Sequence, residues 1–550
     1  MCDLGTLDNL IANTVYLQAR GSVDGYIKEM RRRRKALSLP SHKECVSVMQ
    51  NINIEYDSVC EQQPIGKKFF RLFTATVPEY QVAVDFVNEV TIFYVAENEV
   101  KDNLLQDIAT IFLKPDSKNY LSFLSQELAD KCKNAARKDF VELLALADSE
   151  AKKFLMGKPF QDFQNSPFFD KFLQWKSFER QPITDKYFYK FRVLGKGGFG
   201  EVCAIQVKIS GKMYACKQLD KKRLKKKNGE KMALLEKEIL EKANCPFIVS
   251  LAYAYETKNH LCLVMTLMNG GDLKFHIYNI GKKGIEMNRT IFYTAQITCG
   301  ILYLHSLNIV YRDMKPENVL LDDNGNCRFS DLGLAVSIKD GKDINQLAGT
   351  NGYMAPEILK EEKYKYSVDW FALGCSIYEM IAGRTPFKDY KEKVSKEEIK
   401  RRTLEDEVKY EHLNFTEESK DICGLFLAKN LEERLGCRGS GSLLIKHNFF
   451  KSINFQRLEA GLIDPPFVPD PRMVYCKDVG DIADFSEVQG VDITDKDKQF
   501  YKKFATCAAT IPWQEEMLEC GLFDELNDPT RQQSKANGTG EAKSGVCTIL

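Results

Sequence analysis

The sequence predicts a multidomain protein in which an all-α domain precedes a larger domain of mixed α/β structure. A chain of 550 residues is too long for one hydrophobic core, so two or three domains are expected. Residues 56–176 are dense in helix formers and aromatic side chains, with few β-branched alternations. After Pro182 the pattern changes: residues 191–217 alternate as paired strands do, and mixed patterns continue to about residue 450.

Composition excludes several classes of protein. The 78 Lys and Arg residues nearly balance the 77 Asp and Glu residues, which argues against a general nucleic-acid-binding protein. The chain has no run of 18 apolar residues and no basic, then apolar N-terminus, so we expect neither a membrane span nor a secretory signal. Its 17 cysteines form no C-x-x-C pair, which favours reduced thiols in the cytosol over a zinc site or disulfide framework.

The segments outside the two domains have their own patterns. Residues 4–20 have the spacing of a short amphipathic helix, which could dock on its own core or on a partner. Its apolar stripe consists of Leu4, Leu7, Ile11 and Val15. The five cations of 31–35 indicate either a solvated surface or a contact with anionic lipid. The proline-rich stretch 465–471 excludes a helix interior or a central strand, and the polar segment 532–545 is expected to be disordered.

A glycine-rich loop opens the mixed domain. Residues 195–200 read G-x-G-x-x-G, a spacing that dinucleotide-binding folds share, but there the loop leads into a helix. Here the following residues, 201–207, alternate and predict a strand. A glycine loop between two strands lets the backbone lie close over nucleotide phosphates, which is the arrangement of protein kinases.

A lysine and a glutamate follow the loop in the order that phosphate binding requires. Lys217 lies on the expected third strand, where a cation can hold the α- and β-phosphates. The helix predicted over residues 231–242 supplies Glu236 as the carboxylate that pairs with it. Glu238, two residues further on, points elsewhere on that helix.

The most specific motif spans residues 311–318. It matches the kinase catalytic loop H-R-D-x-x-x-x-N except that Tyr311 replaces histidine. Asp313 is placed to accept the proton of the substrate hydroxyl, and Asn318 supplies an oxygen to a magnesium ion. Asp331, in a D-L-G variant of D-F-G, is expected to bind Mg²⁺ that bridges the β- and γ-phosphates.

The remaining motifs predict a competent Ser/Thr protein kinase. Ala355-Pro356-Glu357 closes the activation segment, and Arg434 is the expected buried partner of Glu357. Lys315, two residues after the candidate base, resembles the lysine of Ser/Thr kinases that reaches the γ-phosphate. Thr350 resembles the threonine of that class that helps to hold the catalytic aspartate.

Beyond these motifs the chain resembles, nearly from end to end, the G protein-coupled receptor kinases of the AGC group. The stretch 465–469 is similar to the AGC tail, which crosses the active-site cleft. The resemblance implies a bilobal α/β protein kinase fold joined to an all-α regulator-of-G-protein-signalling homology domain. The implied divisions are a receptor-docking helix and linker (1–30), the helical domain (56–176), the kinase domain (191–454), the tail (455–520) and a C-terminal segment (521–550). A return segment around residues 513–526 is expected to pack back on the helical domain.

The resemblance also implies ATP and Mg²⁺ as cofactors and a set of site residues. The expected nucleotide-binding residues are Leu194, Gly195, Lys196, Gly197, Gly198, Phe199, Gly200, Glu201, Val202, Lys217, Glu236, Thr266 and Met268. The expected catalytic residues are Asp313, Lys315 and Asn318, and the expected metal ligands are Asn318 and Asp331.

Two further features concern regulation and location. Gln346 occupies the place where many AGC kinases carry a phosphorylated threonine, so activation is expected from a docked receptor. Cys547 begins a C-a-a-X box whose terminal Leu550 favours a geranylgeranyl group, although farnesyl stays open. A single prenyl chain anchors reversibly, so the basic patches 31–35 and 221–227 are candidates for a second membrane signal.

A C-terminal prenylation box is similar to those of the visual subgroup of the family. The terminal leucine of this box is more similar to the cone-opsin kinases than to the rhodopsin kinases. The sequence therefore predicts phosphorylation and shut-off of light-activated opsin-type receptors at the cytoplasmic face of a photoreceptor outer-segment membrane. Three alternatives stay open: a receptor kinase for non-visual receptors, an AGC kinase of soluble substrates, and a Gα-binding module with a secondary kinase role.

Overall fold

The computed structural model describes residues 23–134, 139–338, 341–437, 441–473, 475, 488 and 490–531. They form two units: residues 32–182 group with those from Thr510 onward, and residues 183–509 group with those up to Arg31. The predicted helix over 4–20, the polar segment 532–545 and Cys547 lie outside the described residues. No helix in the described part of the chain is long and apolar enough to cross a membrane.

The first unit is helical, as the sequence predicts. Its helices are α1 (Val23–Ala36, which begins in the other unit), α2 (His42–Met49), α3 (Pro64–Thr74), α4 (Pro78–Val95), α5 (Asn98–Phe112), α6 (Gln126–Asn134), α7 (Phe140–Met156), α8 (Lys158–Gln164) and α9 (Pro167–Glu179), with a π-helical turn at Asp57–Gln62. Pro64 begins α3 at a position where no amide hydrogen is needed. Phe69, Phe70 and Phe73 bury one face of α3, and Leu72, which lies off that face, is exposed.

The second unit has a small sheet-rich lobe and a large helical lobe. Its strands are β1 (Phe188–Gly197), β2 (Gly200–Val207), β3 (Met213–Asp220), β4 (Leu251–Glu256), β5 (His260–Thr266), β6 (Ile309–Val310), β7 (Val319–Leu321), β8 (Cys327–Phe329), β9 (Val336–Ser337) and β10 (Cys507–Ala508). Its helices are α10 (Lys221–Lys226), α11 (Glu230–Lys242), α12 (Leu273–Asn279), α13 (Met287–Ser306), α14 (Pro356–Leu359), α15 (Ser367–Ala382), α16 (Lys396–Glu405), α17 (Glu417–Phe426), α18 (Gly441–Ile445), α19 (Phe455–Glu459) and α20 (Asp495–Lys502).

The small lobe is an antiparallel sheet in the order β1-β2-β3-β5-β4-β10, which confirms the predicted paired strands. In the large lobe α15 is buried on all sides, as an apolar helix in a core should be. The short strands β6 and β7 flank the residues of the predicted catalytic loop, and β8 leads to Asp331. The two lobes together confirm the bilobal kinase fold.

The last two helices, α21 (Thr510–Glu519) and α22 (Leu522–Asn527), belong to the helical unit. The Trp175 ring stacks on Phe523 at 5.5 Å and lies 6.0 Å from Trp513. Gln514 accepts a hydrogen bond from the Ile65 amide at 3.0 Å, at the start of α3. These contacts pack the C-terminal helices on the helical unit, and the residues that group with this unit begin at Thr510, inside the range (455–520) that the sequence assigned to the tail.

The two basic segments are less uniform than predicted. Arg34 is only 8% exposed, because its guanidinium donates to Glu525 at 2.6 Å and to the Cys520 carbonyl at 3.1 Å. In the second segment Lys221 is buried against Glu256 at 2.8 Å, and Lys225 pairs with Asp497 at 2.6 Å. Treating each segment as wholly solvated or lipid-facing is therefore wrong at these positions, since a local run of cations does not reveal distant carboxylates.

Candidate active site

The candidate base Asp313 is held by donors on both carboxylate oxygens. Its Oδ2 accepts from Lys315 Nζ and from Asn318 Nδ2, each at 2.8 Å. Its Oδ1 accepts from the Thr350 hydroxyl at 2.6 Å, and Lys315 also donates to that hydroxyl at 2.8 Å. The structure thus brings together the three predicted catalytic residues and the predicted threonine. These bonds fix the direction in which the carboxylate lies.

Asp369, which was not predicted from the sequence, orders the catalytic loop through hydrogen bonds to its backbone. This fully buried carboxylate accepts from the backbone amides of Tyr311 at 2.9 Å and Arg312 at 2.7 Å. His305 Nε2 lies 2.8 Å from the same group. A signal existed in the sequence: an aspartate within the apolar run of α15 must find polar partners, because an unpaired buried carboxylate is costly.

Tyr311, the departure from the usual histidine, has a structural role. Its ring is buried and stacks on Phe329 with 5.1 Å between centroids. Its hydroxyl donates to the Ser330 carbonyl at 2.7 Å, immediately before Asp331. The replacement therefore ties the catalytic loop to the second candidate metal-binding segment.

Lys217 links Glu236 of the small lobe to the candidate metal ligand Asp331. Its Nζ lies 2.6 Å from Glu236 Oε1, so the predicted ion pair is present, and 3.2 Å from Asp331 Oδ1. Burial opposes the charge on Lys217, but attraction to the two carboxylates outweighs it and raises the pKa of the lysine. The lysine in turn lowers the pKa of Asp331. Burial raises the pKa of Glu236 against the attraction of Lys217. Glu238 points away from the pair and is exposed.

The glycine loop shows where a ligand can approach. A Cβ added to Gly195 or Gly197 would meet no atom within 4 Å, so open space lies beside the first two glycines. A Cβ on Gly200 would lie 1.8 Å from the Gln218 carbonyl, so this glycine permits close packing of β2 on β3. The other predicted nucleotide-binding residues of this hairpin (Leu194, Lys196, Gly198, Phe199, Glu201 and Val202) lie along β1, the turn and β2.

The two remaining predicted nucleotide-binding residues lie at the end of β5. Thr266 is half-buried, and its hydroxyl accepts from the Ser250 amide at 3.1 Å. Met268 is half-buried against the main core of the unit. Thr266 therefore shares the small-lobe sheet with Lys217, on the strand next to β3, and Met268 follows two residues after the end of that strand.

The donor set suits a divalent metal ion. Both hydrogen bonds of the Asn318 amide group run from Nδ2 to Asp313, to its carbonyl at 2.9 Å and its carboxylate at 2.8 Å, so Oδ1 is the atom left for a cation. Asp331 has a left-handed backbone (φ 52°), and its carboxylate is the second hard oxygen donor. Hard oxygen donors of this kind match Mg²⁺, which completes its coordination with phosphate oxygens and water.

The proline-rich stretch and its surroundings pack on the large lobe. His276 is buried, stacks on Tyr475 at 5.2 Å and lies 5.3 Å from Phe467. A Cβ on Gly325 would lie 1.8 Å from the Phe467 carbonyl, so the stretch passes this turn in close contact. The stretch is neither helix nor strand, as predicted.

Comparison with known proteins identifies the family. Residues 188–450 match the protein kinase domain, and residues 55–172 match the regulator of G protein signaling domain. The chain is 64% identical to the rhodopsin kinase GRK7 of Homo sapiens, 64% to the rhodopsin kinase grk7-a of Xenopus laevis and 63% to the rhodopsin kinase GRK7 of Bos taurus. Each comparison covers 100% of both chains.

The chain belongs to the rhodopsin kinase family. The predicted resemblance to visual G protein-coupled receptor kinases is thereby confirmed, as is the prediction of a Ser/Thr protein kinase joined to a regulator-type helical domain. A protein kinase domain implies ATP and a divalent metal ion, which the donor set described above accommodates.

Proposed function

We propose that this kinase phosphorylates serine and threonine residues of a light-activated opsin-type receptor and so shuts the receptor off. The proposal rests chiefly on Asp313, whose two oxygens are oriented by Lys315, Asn318 and Thr350 within one cleft. The rhodopsin kinase names of the full-length relatives supply the class of substrate.

Each charged group of the cleft has a role in this proposal. Asp313 accepts the proton of the substrate hydroxyl, and Lys315 contacts the γ-phosphate. Lys217, oriented by Glu236, holds the α- and β-phosphates, while the glycine loop covers them. Asn318 and Asp331 hold Mg²⁺. When bound, ATP supplies the phosphoryl group and Mg²⁺ neutralises the charge on its phosphates.

The proposed place of action is the cytoplasmic face of the photoreceptor membrane. A prenyl group on Cys547 supplies one anchor, and the exposed members of the basic segments, such as Arg31, Arg32 and Lys222, supply a second attraction to anionic lipid. Cys547→Ser should release the protein from membranes of prenylating cells and spare activity on a soluble peptide. Equal membrane association of wild type and variant would contradict this anchor.

The decisive experiment compares phosphate incorporation into light-activated pigment, dark pigment and an unrelated soluble protein. The proposal expects strong labelling of the light-activated pigment alone. Equal labelling of dark and light-activated pigment would refute dependence on the receptor state. Strong labelling of the soluble protein would favour a general kinase instead.

The match of residues 55–172 to the regulator of G protein signaling domain favours Gα as a second partner. Purified full-length protein should then retain Gα in a transition-state-like, fluoride-activated form and not in the GDP form. Absence of binding in both forms would remove this second function and leave the kinase proposal intact.

A further inference from the structure

Besides the bond from Thr350 to Asp313, the activation segment is joined to the catalytic loop by a clasp of Arg312, Gln346 and Tyr364, in which every acceptor is uncharged. Arg312 Nη1 donates to the Gln346 side-chain oxygen at 2.9 Å and to the Tyr364 hydroxyl at 3.3 Å. The Tyr364 hydroxyl donates to the Gln346 carbonyl at 2.7 Å. Ile344 and Tyr364 also exchange backbone hydrogen bonds at 2.9 and 3.0 Å.

The position of Arg312 affects the candidate base directly, because Arg312 precedes Asp313 in the chain. Its backbone is left-handed (φ 66°), a conformation that a non-glycine residue keeps only when its surroundings hold it. Asp369 holds the backbone amide, and the side chain is held by the clasp and by the Leu334 carbonyl, to which Nε donates at 2.7 Å. Loss of the clasp therefore removes the acceptors of Nη1 and leaves the Arg312 side chain held at Nε by the Leu334 carbonyl.

In many kinases a phosphate on the activation segment binds arginines and orders the segment. An amide oxygen makes the same contact with Arg312 without a negative charge. A hydrogen bond to an ionised acceptor is roughly twice as strong as one to a neutral acceptor. The amide therefore orders the segment without a modification but more weakly than a phosphate would.

We propose that Gln346 and Tyr364 are positioning residues that set the basal activity of the kinase at a low level. They hold Arg312, and through it Asp313, in the productive arrangement for part of the time. This inference rests on the proposed role of Asp313, and it assigns to a neutral contact the place that a phosphate occupies elsewhere. A carboxylate at position 346 should strengthen the contact and raise basal activity.

The test measures kcat and KM of the full-length protein on a synthetic serine-containing peptide, without receptor. Gln346→Ala and Tyr364→Phe should each lower kcat by about 3- to 10-fold, the effect of losing a modest hydrogen bond. Gln346→Glu should raise kcat about 3- to 10-fold above wild type. KM for ATP and the thermal midpoint should change little. Leu347→Ala, at the neighbouring exposed residue, is the matched control and should match wild type.

Hydrogen exchange of the amides of residues 343–349 provides a second measurement that does not depend on turnover. Exchange should be faster in Gln346→Ala and slower in Gln346→Glu than in wild type. The inference fails if Gln346→Ala and Tyr364→Phe behave as Leu347→Ala does, or if Gln346→Glu loses as much kcat as Gln346→Ala. If wild type itself phosphorylates no peptide, the proposed chemistry is at fault, and the exchange rates still decide whether the clasp exists.

Discussion

Two ion pairs of the kinase unit have the same length and opposite surroundings. The cleft pair Lys217–Glu236 and the anchor pair Arg434–Glu357 each measure 2.6 Å. In the anchor pair both side chains are almost completely buried, Arg434 binds both oxygens of Glu357, and it also donates to the Ala428 carbonyl at 2.8 Å. In the cleft pair Lys217 is 21% exposed and also binds Asp331, whose side chain is 55% exposed.

The contrast shows that the distance between two charges does not reveal their role. In the anchor pair the charged groups make their hydrogen bonds to other protein groups inside the fold. In the cleft pair Lys217 is partly exposed and divides its contacts between Glu236 and Asp331, so it can exchange a protein partner for a phosphate oxygen. Substitutions in a pair whose hydrogen bonds are all made within the protein should therefore lower the stability of the fold. Substitutions in a partly exposed pair of the cleft should lower turnover.

The largest expected effect is on the anchor pair. Arg434→Met leaves Glu357 buried without its cation, and removing one partner of such a pair costs about 3–5 kcal/mol. The measurement is the free energy of unfolding of the kinase unit in urea. Lys217→Met is the comparison and should cost less, because burial already raises the pKa of Glu236, so that this carboxyl can take up a proton once the lysine is gone. Equal losses in the two variants would remove the distinction between the two kinds of pair.

The next largest effect is on turnover, and it concerns the cleft residue Asp313. Asp313→Asn should lower turnover by about 10²-fold or more, because the amide cannot accept the hydroxyl proton. Nucleotide affinity and the thermal midpoint should stay near those of wild type, since the proposed contacts to nucleotide come from other residues. Near-normal turnover of Asp313→Asn, measured with peptide and with receptor, would refute the assignment of the base.

The smallest expected effect concerns His276, a buried group that is neutral at neutral pH and should also affect stability. Burial, with the nearby charge of Arg289, lowers the pKa of His276 to about 4 from its ordinary 6.5. Because the folded state binds the proton less well than the unfolded chain, this contribution to stability is complete above pH 6.5 and is lost as the pH falls toward 4. By pH 5 the loss reaches about 2 kcal/mol.

Thermal midpoints at pH 7 and pH 5 test this prediction. His276→Gln can still donate to the Gly270 carbonyl, as His276 Nε2 does at 2.7 Å, but it has no titrating ring. The variant should therefore lose less stability than wild type between the two pH values. Identical losses would show that other groups, and not His276, carry the acid sensitivity of this region.

The sequence predicts the cleft well because its motifs are local. The glycine loop, residues 311–318 and Asp331 each carry their chemistry within a few positions, and their order along the chain restricts the fold. Asp369 escaped notice because its partners, the amides of Tyr311 and Arg312, lie 58 and 57 positions away in the chain. Arg34 was misjudged for the same reason, since its carboxylate lies 491 positions further on.

The pairing of α21 with α3 has a consequence for the order of synthesis. Gln514 binds the Ile65 amide, yet the ribosome makes the two residues 449 positions apart. Translation proceeds at about 5–20 residues per second, so on the order of tens of seconds separates the two segments. During that interval the apolar face around Trp175, on the helices of residues 32–182, is not yet covered by α21 and α22. A stop codon before Thr510 should therefore harm the domain that was made first.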